Sequence, residues 1–150
     1  ADTICKCWST SAHRTEQFVR FDYLLRWNTD PLHGQPMCRL EMKIRNCASN
    51  TYETLIISRG KLKALAPPRH LENRVLPRLL AVRYRDRDVY CVIDSELLRV
   101  CAYAQGGRRD RGDPHDIEEV AHIPLDYFTD ISPLSDNGAP TSGTYQSTLT

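Results

Sequence analysis

A strict alternation of apolar and charged residues in the segment 38–45 constrains this chain more than any other part of its sequence. Four apolar side chains alternate there with four charged ones: Cys38, Leu40, Met42 and Ile44 against Arg39, Glu41, Lys43 and Arg45. A period of two places successive side chains on opposite faces of a strand. The segment is therefore predicted to be a β-strand with one face in a core and the other in water, so the fold needs a sheet.

The other segments predict an α+β fold in which one N-terminal helix packs on a twisted antiparallel β-sheet. Phe18, Phe21 and Leu25 recur at helical spacing after Ser and Thr residues that can cap a helix, which predicts a helix over about residues 13–27. Four further β-prone runs are predicted as strands, at residues 51–58, 79–84, 89–93 and 97–103. Residues 61–77 contain three prolines and predict a long basic loop.

The length of 150 residues is that of a single domain with its own core, and the charge pattern divides it into two parts. Residues 1–109 carry a net charge of +8, and residues 110–150 carry −7. We expect a body over 1–107 and an acidic extension over 108–150 that is partly docked, with about 18 flexible residues at its end. The basic body predicts a polyanionic partner, while solubility is the alternative explanation of the acidic extension. No run reaches the ~20 apolar residues that a membrane span needs.

Six cysteines, an even number, predict up to three disulfides: Cys5, Cys7, Cys38, Cys47, Cys91 and Cys101. Disulfides form in oxidising compartments, so this cysteine usage predicts a secreted protein. The sequence start is then expected to be a mature end from which a signal peptide has been removed.

The motifs predict no metal site and no cofactor. Cys5 and Cys7 are separated by one residue, whereas zinc sites use two or more, and the five histidines lie in separate elements. Gly-x-Ser-x-Gly, phosphate-loop and His-Glu-x-x-His motifs are not found, which disfavours the corresponding enzymes. The tripeptide at 111–113, Arg-Gly-Asp, lies in a charged tail where those residue types are common, so an adhesive role is disfavoured.

Glu53 is the candidate catalytic carboxylate because it lies in an apolar β-prone run that precedes arginine-rich strands. Such a glutamate can take the 2′-hydroxyl proton of RNA, while Arg78, Arg83 or Arg85 stabilises the phosphorane charge. The alternative interpretation is a solvent-facing glutamate paired with a cross-strand arginine.

The order of these features resembles that of the small guanyl-specific fungal ribonucleases. The resemblance rests on Cys7-Trp8-Ser9 before a capped helix, on a Pro/Gly loop with His33, and on the stretch from Asn50 to Gly60 before an Arg-led strand. It covers roughly residues 5–103. The chain resembles most of all the ribonuclease-like proteins associated with haustoria, which fungal pathogens of plants secrete as effectors.

The resemblance implies a vestigial ribonuclease site. Glu53 matches the general base, Arg78 lies near the position of the phosphate-binding arginine, and His33 is a weak match to the first histidine. The general-acid histidine would fall on Asp94 or Ser95. Neither donates a proton at neutral pH, since Asp is already ionised and Ser is too weak an acid. We therefore expect no catalysis.

The resemblance also implies a disulfide from Cys5 or Cys7 to Cys101, which would tie the amino end to the last strand. The excess of basic residues over 59–87 predicts salt-dependent phosphate binding, with a solvated basic face as the alternative. The residues expected to bind RNA are Lys61, Lys63, Arg69, Arg83, Arg85 and Arg87.

The function expected from the resemblance is that of a secreted, monomeric virulence effector with an inactive ribonuclease-like fold. It would bind a host protein such as an immune receptor, or RNA, and modulate plant immunity, either outside host cells or after translocation into them. Two alternatives stay open. One is an active secreted endoribonuclease that cleaves single-stranded RNA, and the other is an inhibitor or toxin on an unrelated β-rich fold.

Overall fold

The structure is a computed structural model that describes residues 2–16, 21–66, 76–107 and 117–131. The helices are Asp2–Cys7 (α1), Arg59–Leu65 (α2) and Ser95–Val100 (α3). The strands are Thr10–Arg14 (β1), Tyr23–Trp27 (β2), Pro36–Ile44 (β3), Thr54–Ser58 (β4), Arg78–Arg83 (β5), Asp88–Val92 (β6), Ala102–Gly107 (β7), Ile117–Pro124 (β8) and Thr129–Asp130 (β9). A 3-10 turn lies at Leu125–Tyr127. No helix in the described ranges is long and apolar enough to cross a membrane.

The strands form two sheets. The larger has the order β1-β2-β3-β5-β6-β9, and the smaller has the order β4-β8-β7. The β3 and β5 strands pair in parallel, while the other pairs are antiparallel. Parallel neighbours need a crossover, and here the connection includes β4 and α2. The α+β class is confirmed, but the larger sheet is mixed rather than antiparallel, and the ribonuclease-like form is not confirmed.

The predicted helix over 13–27 is wrong, because β1 and β2 pair there instead. Tyr23, Leu25 and Trp27 belong to the same apolar cluster, and their period of two competes with the helical spacing on which the prediction rested. The fully buried Leu25 lies opposite Cys38 of β3. Pairing with β3 therefore stabilises this segment as a β-strand rather than as a helix. Phe18 lies outside the described residues.

The strands predicted around β3, β4, β5 and β6 are confirmed, with β4 starting at Thr54. The strand predicted over 97–103 is wrong in its first part, which is helical. The side chain of Asp94 accepts a hydrogen bond from the Leu97 amide at 2.8 Å and so caps α3. The basic loop predicted over 61–77 begins as α2, capped by Ser58, and 67–75 lie outside the described residues.

Part of the acidic C-terminal segment belongs to the sheets. The β8 strand lies between β4 and β7 in the smaller sheet, and β9 pairs with β6 at the edge of the larger one. Residues 117–131 therefore complete both sheets.

Two apolar clusters form the core, one on each face of the larger sheet. Leu40 and Trp8 belong to the cluster beneath α1, whereas Leu80 and Leu62 belong to the cluster shared with α2 and the smaller sheet. Glu41 is in register with Leu80 and therefore lies on the second face. The face of β3 that was predicted to be exposed to water is thus covered in part by α2. This covering buries the charged residue Glu41.

All six cysteines are free thiols, in place of the disulfides expected between them: Cys5, Cys7, Cys38, Cys47, Cys91 and Cys101. Burial raises the pKa of Cys38 to about 12 and of Cys101 to about 11, and it raises the pKa of Cys91 further. The apolar clusters stabilise the described fold without a covalent crosslink.

Thiol labelling tests this state of the cysteines. We expect six reactive thiols in denaturant without prior reduction, because no cysteine is bonded to another. In the native protein the partly exposed Cys5, Cys7 and Cys47 should react first, since the thiolate is the reactive form and burial disfavours it. Fewer than six thiols in unreduced, denatured protein would contradict this prediction; a sample reduced beforehand is the control.

Candidate active site

Two carboxylates lie close together in the larger sheet, one on β3 and one just before β2. Asp22 directly precedes β2, and its amide donates to the carbonyl of Leu40 at 3.0 Å. Its Oδ2 accepts a hydrogen bond from the amide of Met42 at 2.8 Å. Tyr23, the next residue, is paired with Leu40, and the charge of Asp22 acts on the neighbouring Glu41. The end of the β2–β3 pairing and the side-chain hydrogen bond to Met42 bring the two acids close together.

Glu41 is buried, with an exposed fraction of 2%, and contacts a lysine from another element. The Lys61 Nζ forms an ion pair with its Oε1. Lys61 lies in the first turn of α2, where its amide donates to the capping Ser58 hydroxyl. Burial raises the pKa of Glu41, the hydrogen bond from Lys61 lowers it, and the charge of Asp22 raises it. The net shift is upward, so desolvation outweighs the attraction of the lysine.

Lys43 adds a second ammonium group on the same face of β3. It lies two residues beyond Glu41 and is half-buried. Burial is the main cause that lowers the pKa of Lys43. The charge of Lys61 lowers this pKa further, and the charge of Glu41 raises it. We call Asp22, Glu41, Lys43 and Lys61 the Asp–Glu–Lys cluster.

The donor set of this cluster fits a hard divalent cation. Mg²⁺ is held in proteins by one or two carboxylates, and the substrate phosphate and water complete its coordination. Within the described ranges no group of three or more His, Cys, Asp and Glu side chains could hold a metal ion, so side chains would supply the two carboxylates of Asp22 and Glu41. A positive charge beside the buried Glu41 stabilises its carboxylate. The ammonium groups of the two lysines can donate hydrogen bonds to phosphate oxygens. Two carboxylates beside two lysines are therefore the side-chain types that a cation and a phosphate group would need.

The three residues expected to form a ribonuclease site lie in different parts of the fold. Glu53 is exposed just before β4, and its carbonyl accepts the amide of Leu125. Arg78 begins β5 and donates to the carbonyl of Leu65. His33 is exposed in the connection between β2 and β3.

The six basic residues expected to bind RNA are likewise spread over several elements. Arg83 donates to both carboxylate oxygens of Asp88, and Arg87 forms an ion pair with Asp130. Lys61 belongs to the Asp–Glu–Lys cluster. The remaining three are Lys63 on α2, Arg85, which donates to Asn46, and Arg69, which lies outside the described residues.

The sequence patterns did not indicate Asp22, Glu41 and Lys43 as candidate site residues. Glu41 and Lys43 were assigned to a solvent face, because alternation separates two faces without saying what covers each of them. The available signal was the triplet Glu-x-Lys within the strand, preceded along the chain by an isolated aspartate at 22.

The sequence matches, over residues 2–131, the family described as "Phage putative PDDEXK endonuclease". No curated protein matches the chain. No solved structure matches it either.

This match overturns the identification drawn from sequence features. The resemblance to secreted fungal ribonuclease-like effectors is wrong, and with it the expected virulence function in plant immunity. That resemblance depended on a capped helix over 13–27, where the chain forms β1 and β2. The match spans both sheets and includes the whole Asp–Glu–Lys cluster. The chain belongs to the family described as "Phage putative PDDEXK endonuclease".

Proposed function

We propose that this chain is an endonuclease that hydrolyses phosphodiester bonds of DNA at the Asp–Glu–Lys cluster. The observation that supports this most strongly is the position of Asp22 beside Glu41, with Lys43 on the same face of the sheet. The letters E, X and K of the family description correspond to Glu41, Met42 and Lys43. Asp22 provides the acid just before the neighbouring strand β2, although Phe21 rather than a proline precedes it.

Asp22 and Glu41 would hold the Mg²⁺ that this donor set suits. When bound there, the cation would lower the pKa of a water molecule and offset the charge of the phosphate. Lys61 supplies the positive charge beside Glu41 in this structure. The side chain of Lys61 is 43% exposed. When a cation binds beside Glu41, the Lys61 ammonium can therefore move into solvent or towards a phosphate oxygen.

The lysines of the chain would stabilise the charge that develops during hydrolysis. The water oxygen forms a bond to phosphorus, and the bond from phosphorus to the leaving sugar oxygen breaks, with its electron pair going to that oxygen. One proton leaves the water for solvent, and the leaving oxygen gains one from solvent. The ammonium of Lys43, fixed on a strand in a half-buried site, would stabilise the negative charge on the phosphate oxygens.

A water nucleophile makes a 2′-hydroxyl unnecessary, so this chemistry suits DNA. It differs from the ribonuclease chemistry considered for Glu53, in which the carboxylate takes a proton from the RNA itself. It also departs from the expectation that the chain uses no metal.

Cleavage of covalently closed circular DNA tests the proposal, since only an endonuclease can cut a substrate without ends. We expect the purified protein to convert the supercoiled form to nicked and linear forms with Mg²⁺, and to stop when EDTA removes the cation. Equal rates with Mg²⁺ and EDTA, or intact circles at high protein concentration with Mg²⁺, would refute it.

A further inference from the structure

The charged row of β3 continues beyond the Asp–Glu–Lys cluster into an open cleft of about 600 Å³. Arg45 follows Lys43 on the same face, and its amide still pairs with β5 through the carbonyl of Arg83. Its guanidinium reaches the smaller sheet and donates to the Ile56 carbonyl of β4 at 2.7 Å. At about 3.3 Å per residue, Arg45 lies about 13 Å along the strand from Glu41. Arg45 lines the cleft, so the cleft begins where the charged face of β3 ends.

Aromatic side chains and groups able to form hydrogen bonds line this cleft. Tyr52 has an exposed fraction of 69%, whereas Tyr84 is a buried residue of the cleft wall. The Nδ1 of His122 lies 3.2 Å from the hydroxyl of Thr54. Glu53 contributes an exposed carboxylate, which can accept hydrogen bonds but would repel a phosphate. We call this the Tyr52 cleft.

We propose that the Tyr52 cleft binds an unpaired nucleobase of the DNA strand that is cut, so that the enzyme prefers single-stranded or frayed DNA to an intact duplex. This inference rests on the proposed function and names its substrate class. An unstacked base offers a flat π-face and a polar edge, and proteins bind such bases by stacking on aromatic side chains and by hydrogen bonds to the edge. The volume lies in the range of pockets that hold small organic groups. Bases in an intact duplex would have to leave the stack first, which costs a few kcal/mol.

Binding of fluorescent oligonucleotides in EDTA tests the cleft without cleavage. The probes are a 12-nucleotide single strand, its blunt duplex, and single strands that carry one abasic site at successive positions. We expect Tyr52→Ala to weaken single-strand binding about 5- to 150-fold, the range that one stacked base contributes. Tyr52→Phe should bind within about twofold of the wild type, because the ring is kept. The matched control is Ile44→Ala, since Ile44 is 75% exposed on the opposite face of β3.

The abasic series distinguishes stacking from a general loss of affinity. In the wild type, an abasic site at one position should weaken binding as much as Tyr52→Ala does, and in Tyr52→Ala the same abasic site should have no further effect. Unchanged binding by Tyr52→Ala, an equal loss in Ile44→Ala, or tighter binding of the duplex than of the single strand would overturn the proposal.

The two proposals fail in different ways. Cleavage of circular DNA with Mg²⁺ together with an unaffected Tyr52→Ala would overturn the base-binding cleft and leave the endonuclease standing. Base-dependent binding through Tyr52 without cleavage would support the cleft and refute the endonuclease.

Discussion

Replacing Glu41 with glutamine is expected to lower the rate of Mg²⁺-dependent DNA cleavage by about 10³-fold or more. The amide keeps the shape of the side chain but removes the charge that would hold the cation. Folding should be retained, because the Lys61 side chain that loses its partner is 43% exposed and can be hydrated. The substitution therefore leaves no buried, unpaired charge. The measurement is the initial nicking rate on circular DNA, with the thermal midpoint measured in parallel.

Glu96→Gln is the matched control for this substitution. Glu96 is exposed on α3 and lies outside the Asp–Glu–Lys cluster. The same chemical change there should leave the nicking rate within about twofold and the thermal midpoint unchanged, because exposed ion pairs contribute little to stability. A Glu41→Gln variant that is folded and as fast as Glu96→Gln would contradict the role of Glu41.

Lys43→Met should lower the cleavage rate by about 10²- to 10³-fold, the loss typical of removing one fixed group that stabilises transition-state charge. Lys43 is half-buried, and methionine is an unbranched apolar side chain of similar length. The substitution should therefore keep the packing at this position. Lys43→Arg keeps a charge but changes its position and should recover only part of the rate. The rates are measured at saturating DNA, so that a change in kcat is distinguished from a change in KM.

Lys6→Met serves as the control for Lys43→Met. Lys6 is exposed on α1, which packs on the opposite face of the larger sheet. Its loss should leave kcat unchanged, whereas a kcat for Lys43→Met equal to that of Lys6→Met would remove Lys43 from the mechanism.

Local periodicity predicts the individual strands better than it predicts their surroundings. The alternation over 38–45 correctly predicts β3, but it cannot reveal that α2 and the smaller sheet cover part of the charged face. In the described structure Glu41 is buried there because Lys61, twenty residues later in the sequence, comes from another element to pair with it. Alternation therefore predicts that the charged residues of a strand face solvent. Only the position of the crossover segment shows that some of them are covered.

The segment before β3 shows the same limit. Its apolar residues fit both a helical spacing and, at Tyr23, Leu25 and Trp27, a period of two. Pairing of β2 with β3 favours the period of two, and the segment forms a strand. The position of Asp22 beside Glu41 depends on that pairing, so the carboxylate pair could not be predicted while residues 13–27 were assigned to a helix. The triplet Glu41-Met42-Lys43 was visible in the sequence, but its partner was not.

A double-mutant cycle on Asp22 and Glu41 tests the central claim most directly, namely that the two carboxylates form one catalytic unit. The cleavage rate of circular DNA at one fixed Mg²⁺ concentration is measured for the wild type, Asp22→Asn, Glu41→Gln and the double variant. Residues that act as a unit have strongly non-additive effects, so the double variant should be no slower than the slower single variant. An Asp22→Asn variant that matches the wild type, or losses that multiply in the double variant, would contradict a shared site.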